Sequence, residues 1–116
     1  MKRQAAEARG RTAENEAAAW LEEQGWEIVA RRVKVKAGEI DLIGKRDGLI
    51  AFIEVKWRAR PVDLDFAIDE YRLRRVAAAA EAVAHEYAEN GEDLRVDVIL
   101  LAPGTPPRHI ENAWMP

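Results

Sequence analysis

The spacing of apolar and polar positions divides the chain into two helical stretches and four or five extended ones. Ala6, Gly10, Ala13, Ala17, Trp20, Leu21 and Gln24 recur at helical spacing and Gly25 is a natural stop, so residues 3–24 are expected to form an amphipathic helix. Residues 28–36 mix β-branched and basic side chains in rough alternation, the pattern of an edge or hairpin strand. Residues 39–43 read as a short strand and Asp47-Gly48 as a turn. Residues 49–57 are the most apolar strand and are expected at the centre of a sheet. Pro61 to Asp65 reads as a loop, with Asp63 or Asp65 available to cap the helix that follows. Leu73, Val76, Ala77, Ala80, Val83, Ala84 and Tyr87 form a second apolar stripe, ended by Asn90-Gly91. Residues 95–102 are a further apolar strand, residues 103–107 a turn, and residues 109–114 an expected last edge strand. Helix, three strands, helix, then one or two strands implies an α/β sandwich around a mixed sheet.

Composition narrows the class. At 116 residues the chain (1–116) is expected to be one domain with one core. Hydrophobic content of 48% with 34% charged residues fits a globular chain rather than a disordered one. No apolar run approaches the roughly 18 residues a membrane span needs, and residues 1–16 lack the apolar stretch of a secretory signal. With no cysteine, disulfides and thiolate metal sites are excluded. A cytoplasmic location without a membrane partner is expected. The net charge of −3 argues against nucleic acid until its distribution is considered. Residues 31–75 carry 12 Lys/Arg against 8 Asp/Glu, whereas the rest of the chain carries 6 against 13. The basic excess shares its segment with the acids that stand out below.

Those acids lie in Gly38–Ile43 (GEIDLI) and Phe52–Arg58 (FIEVKWR), on either side of the Asp47-Gly48 turn. Side chains alternate faces along a strand, so Glu39 and Asp41 share one face and Glu54 and Lys56 share another. A hairpin brings the two faces together, which makes Asp41 and Glu54 converge with Lys56 beside them. Two carboxylates in an apolar setting repel unless a cation intervenes. Hard oxygen ligands suit Mg²⁺ or Mn²⁺, and the backbone carbonyl of Val55 is a candidate third oxygen. Such an ion activates water and stabilises charge at phosphorus, while Lys56 can position the water or neutralise developing charge. The plain alternative is a solvated strand face carrying a weak E-x-K ion pair. Against it, Glu54 and Lys56 sit inside the most hydrophobic strand, where unpartnered charge is costly.

Together, Gly10-x-x-x-Glu14, GEIDLI and Glu54-Val55-Lys56-x-Arg58 resemble the signature of the YraN family of predicted endonucleases. That family is placed in the PD-(D/E)xK superfamily, with a restriction-endonuclease-like fold related to archaeal Holliday-junction resolvases. The resemblance runs from Gly10 to about Leu101. It implies an α-β-β-β-α-β restriction-endonuclease-like sandwich, Asp41 and Glu54 as metal ligands, and Lys56 as the catalytic lysine. Glu14 is implied as a further metal ligand or as an acid behind the ligands, and helical spacing independently puts it at the border of the buried stripe. Glu39 is either a peripheral acid or, the reading favoured here, a structural partner for a nearby arginine. Ile40 precedes Asp41 where the wider superfamily has proline.

Arg31, Arg32, Lys34, Lys36, Arg58, Arg60, Arg72, Arg74 and Arg75 are candidate phosphate contacts. The foremost are Arg31, Arg32, Arg58, Arg72 and Arg75, although each taken singly is more often simply solvated. Trp57 shares parity with Ile53 and Val55 and is expected in the core. His85 and His109 lack ligand-spaced neighbours, which speaks against zinc. The expected function is Mg²⁺- or Mn²⁺-dependent hydrolysis of DNA, with branched or single-stranded DNA as candidate substrates and a homodimer compatible with the resolvase likeness. The rival is a DNA-binding or protein-interaction module on the same fold that cleaves nothing.

Overall fold

The computed structural model describes residues 2–114. Helix α1 spans Lys2–Glu23, followed by strands β1 (Glu27–Val35), β2 (Gly38–Arg46) and β3 (Leu49–Trp57). A 3₁₀ helix (Pro61–Phe66) then leads into α2 (Glu70–Tyr87), β4 (Asp93–Leu101) and β5 (Arg108–Ile110). The strands form one five-stranded sheet in the order β1-β2-β3-β4-β5, antiparallel except for the parallel pair β3/β4. This is the expected α/β order with a mixed sheet, and α2 is the crossover that a parallel pair requires.

Chain chemistry explains the element ends. Helix α1 closes in a Schellman motif: Gly25, at φ 92°, donates to the Glu22 carbonyl at 3.0 Å and Trp26 donates to Leu21 at 3.0 Å. The Asp47-Gly48 turn has both residues at positive φ (50° and 76°), as a two-residue type I′ hairpin needs. Helix α2 is capped by Asp69, whose carboxylate accepts from the Tyr71 and Arg72 amides. Asp63 and Asp65, the caps anticipated from sequence, pair instead with Arg60 and Arg108, because the segment coils into a 3₁₀ turn that places them outside the helix start. The last strand is shorter than expected, since the chain turns at residues 111–112 with Asn112 at φ 53°.

The two helices cover opposite faces of the sheet. Ala13, Ala17, Ala18 and Leu21 of α1 pack on Leu42, Ala51, Ile53 and Ile99, with Trp57 against their edge. Val76, Ala79, Ala80 and Val83 of α2 pack on Ile43, Ile50 and Phe52, and the 3₁₀ segment buries Leu64 against Val98 and Leu100. No helix among the described residues is long and apolar enough to cross a membrane.

Where β2 begins, strand and helix touch backbone to backbone. A Cβ on Gly38 would lie 2.0 Å from the Arg75 carbonyl oxygen, an approach only glycine permits. Gly38→Ala must push β2 away from α2 and is expected to cost about 1–3 kcal/mol, the usual penalty of overpacking, read as a lowered urea midpoint.

Candidate active site

The ladder between β2 and β3 is regular from Arg46↔Leu49 to Leu42↔Ile53 and stops there. One residue further, Asp41 on β2 stands across from Glu54 on β3. The Val55 amide donates to Asp41 Oδ2 at 2.8 Å rather than to a backbone carbonyl. On the other side, β1 and β2 pair at Arg31↔Leu42 and Val33↔Ile40, but the position between them is skipped and Arg32 there adopts φ 53°. The sheet is thus interrupted on both sides of Asp41, and a cleft of about 460 Å³ opens beside it. Glu14, Arg32, Lys34, Glu39, Ile40, Asp41 and Arg72 line the cleft.

Each acid has a distinct environment. Asp41 has its pKa pushed up to about 6, chiefly by burial; the Val55 amide opposes this, and the charges of Glu54 and Glu14 reinforce it. Glu54 is 2% exposed. Its Oε1 receives Arg72 Nη2 at 3.3 Å and lies 3.6 Å from Lys56 Nζ, while its Oε2 is buried with no hydrogen-bond partner. Glu39 is gripped by Arg72 at 3.0 Å and Arg75 at 2.8 Å, and the Arg75 hydrogen bond leads the effects that hold its pKa below the usual value. Glu14, on α1, faces the cleft and pairs with Arg32 at 3.4 Å; burial raises its pKa against the pull of that arginine.

Asp41, Glu54 and Lys56 are therefore gathered at one end of the sheet, with Glu14 and Glu39 on the cleft wall. Val55 meets the group through its amide, as a donor to Asp41. Among the basic candidates, Arg32 and Arg72 line the cleft and Arg75 reaches it through Glu39. Arg31 donates to Asn15 at 2.8 Å, and Arg58 to the Trp57 carbonyl at 2.8 Å, both outside the lining. Sequence reasoning missed that Arg72 bridges two acids. The spacing of Arg72 and Arg75, one helical turn apart, was the available signal for a helix face presented to acids.

A divalent cation fits this donor set in one way. Among the described residues no three His, Cys, Asp or Glu side chains converge into a ready-made cage. Glu14 and Glu39 are taken up by arginines, which leaves Asp41 and Glu54 as the hard-oxygen donors, and Oε2 of Glu54 is a buried acceptor without a hydrogen-bond partner. Two carboxylates with the remaining positions left to water is a donor set that Mg²⁺ accepts.

Fold and cleft together define a mixed α/β protein with an acid-lined cleft where the pairing of its strands is interrupted. The sequence model described as "Uncharacterised protein family UPF0102" matches residues 13–101. Similar chains are the UPF0102 proteins of Erythrobacter litoralis, 66% identical over the whole of both chains, and of Sphingopyxis alaskensis, 58% identical over the same span. That of Rhizorhabdus wittichii is 52% identical over 97% of this chain and 96% of its own. The chain belongs to the UPF0102 family, the YraN family to which its motifs pointed.

Proposed function

We propose that the protein is an Mg²⁺- or Mn²⁺-dependent endonuclease that hydrolyses DNA phosphodiester bonds at the Asp41–Glu54–Lys56 cluster, reached through the cleft that Asp41 lines. One observation carries the reading: Glu54, almost wholly buried, keeps an oxygen without a partner beside a second acid whose proton affinity is raised. Structural ion pairs seldom leave such an atom, because an unsatisfied buried acceptor costs about 1–3 kcal/mol. Functional sites retain costs of this kind.

Asp41 and Glu54 would hold the cation. When bound, it supplies a more acidic water and a counter-charge for the phosphoryl oxygens. The chain's own residues do the rest. The Val55 amide fixes the Asp41 carboxylate, so its free face is oriented before substrate arrives. Lys56, held 3.6 Å from Glu54, brings a positive charge to where negative charge grows during attack on phosphorus. Arg72 holds Glu54 in place, and Arg32 and Lys34 offer cations to the phosphates flanking the scissile bond.

The test is incubation of the purified protein with branched, single-stranded and duplex DNA, with Mn²⁺ or with chelator. Cutting that needs Mn²⁺ and disappears in both Asp41→Ala and Lys56→Ala is the expected result. Binding without cutting on every substrate would favour the non-catalytic module instead.

A further inference from the structure

Of six large hydrophobic side chains exposed among the described residues, four (Val62, Phe66, Ile68 and Tyr71) fall within ten residues of one another. Phe66 is 86% exposed and Tyr71 62%. The segment is not loose: Leu64 and Ala67 anchor it against Val98 and Leu100, which turns Phe66 outward on a fixed support. Side chains this exposed add little to the core, so a clustered apolar patch marks a contact surface.

Three features say what it contacts. Three of its four acids are already engaged, Asp63 with Arg60, Asp65 with Arg108, and Asp69 with the amides that begin α2, and the fourth, Glu70, is exposed to solvent. The patch also runs directly into the cleft. Tyr71 precedes Arg72, which touches Glu54, and lies near enough to Arg75 to influence its guanidinium, while Arg75 in turn holds Glu39 on the cleft wall. Finally, two of its four members are aromatic rings, and Tyr71 sits beside the Arg75 guanidinium, the pairing of a flat apolar face with a cation that binds nucleic-acid strands. A closed duplex has its base faces occupied by its own stacking and offers nothing to such rings.

We infer that Phe66 and Tyr71 form a stacking platform for unpaired bases, so that the cleft takes single-stranded or splayed DNA in preference to closed duplex; this rests on the nuclease reading above. The experiment is fluorescence anisotropy in chelator at fixed salt, using a labelled single strand and the blunt duplex of the same sequence. The parent protein is expected to bind the single strand more tightly. Phe66→Ala with Tyr71→Ala should weaken single-strand binding by about tenfold or more and leave duplex binding nearly unchanged. Phe66→Tyr with Tyr71→Phe, which keeps both rings, should restore the preference. Unchanged single-strand affinity in the double alanine variant, or equal losses on both DNAs, overturns the platform. So does a double variant that loses only self-association in sedimentation, which would make the patch a surface for a second copy of this chain. The two readings fail separately: Mn²⁺-dependent cutting indifferent to the rings removes the platform alone, whereas ring-dependent strand binding without cutting removes the nuclease alone. No DNA binding of any kind removes both.

Discussion

In chelator at pH 8, Asp41→Asn is expected to unfold at a higher temperature than the parent protein, and in Mn²⁺ the cleavage proposed above is expected to fall about a thousandfold in this variant. The two effects have one cause. The folded pKa of Asp41, about 6, lies above its ordinary 3.8, so the folded chain prefers this acid protonated. The stability conferred by that preference is complete below about pH 3.8 and is lost as the pH rises through 6. At pH 8 the ionised carboxylate costs at most about 3 kcal/mol, less whatever the water in the cleft screens. Asparagine keeps an acceptor for the Val55 amide without carrying the charge. The stabilisation should therefore shrink as the pH falls from 8 toward 4, and a gain of equal size at both ends would contradict the burial account. Added Mn²⁺ should raise the melting temperature of the parent above pH 6 and leave that of the variant unmoved.

The other large effect lies on the far face of the sheet. Asp97 is completely buried in β4 and serves four donors: two nitrogens of Arg95 at 2.8 and 2.9 Å, the His109 ring at 2.7 Å, and the Asn112 amide at 2.9 Å. Burial alone would raise its pKa, but His109, Arg95 and Asn112 outweigh it and hold the carboxyl below the ordinary value. Its contribution is thus present above about pH 3.8 and lost as the pH drops through the lower folded value. Trp20 and Trp26 pack edge-on to the same histidine, so this one acid ties β5 and the end of α1 to the sheet. Asp97→Ala removes the acceptor that a half-buried guanidinium, a ring nitrogen and an amide share, and leaves Arg95 its outer ion pair with Glu111. A loss of about 3–5 kcal/mol is expected, a large share of the stability of a domain this size, visible in urea unfolding and in the near-ultraviolet signal of the tryptophans. An unchanged urea midpoint would show that the network contributes no net stability.

Much of this arrangement was legible from residue order. The apolar run of residues 49–57 is the central strand β3, and the Asp47-Gly48 signal is the hairpin that sets Asp41 across from Glu54. Alternation was enough because both features depend on period and turn chemistry, which are local. Interruption of the sheet was not legible: nothing in the residue types around Arg32 announces a positive φ, which arises from how three strands are held together. The Arg72 bridge was hidden for a similar reason, since it joins α2 to β2 and β3 across more than a dozen residues of sequence. Asp97 read as part of an ordinary apolar strand because its partners, His109 and Asn112, come from a segment whose course sequence describes poorly.

The parallel pairing of β3 with β4 also orders events in time. Strands β1, β2 and β3 are neighbours in sequence and can zip as a meander through two short closures, whereas β4 must return across residues 58–92 before Glu54 meets its register partner Val98 and Lys56 meets Leu100. Long closures are the slow ones during folding, because chain entropy is lost before any contact compensates for it. Arg72 travels on that same returning segment, so Glu54, with Lys56 beside it on its own strand, gains its second cation and its cover from β4 late, and the acid stays in water until the rest of the sheet is ready to receive it.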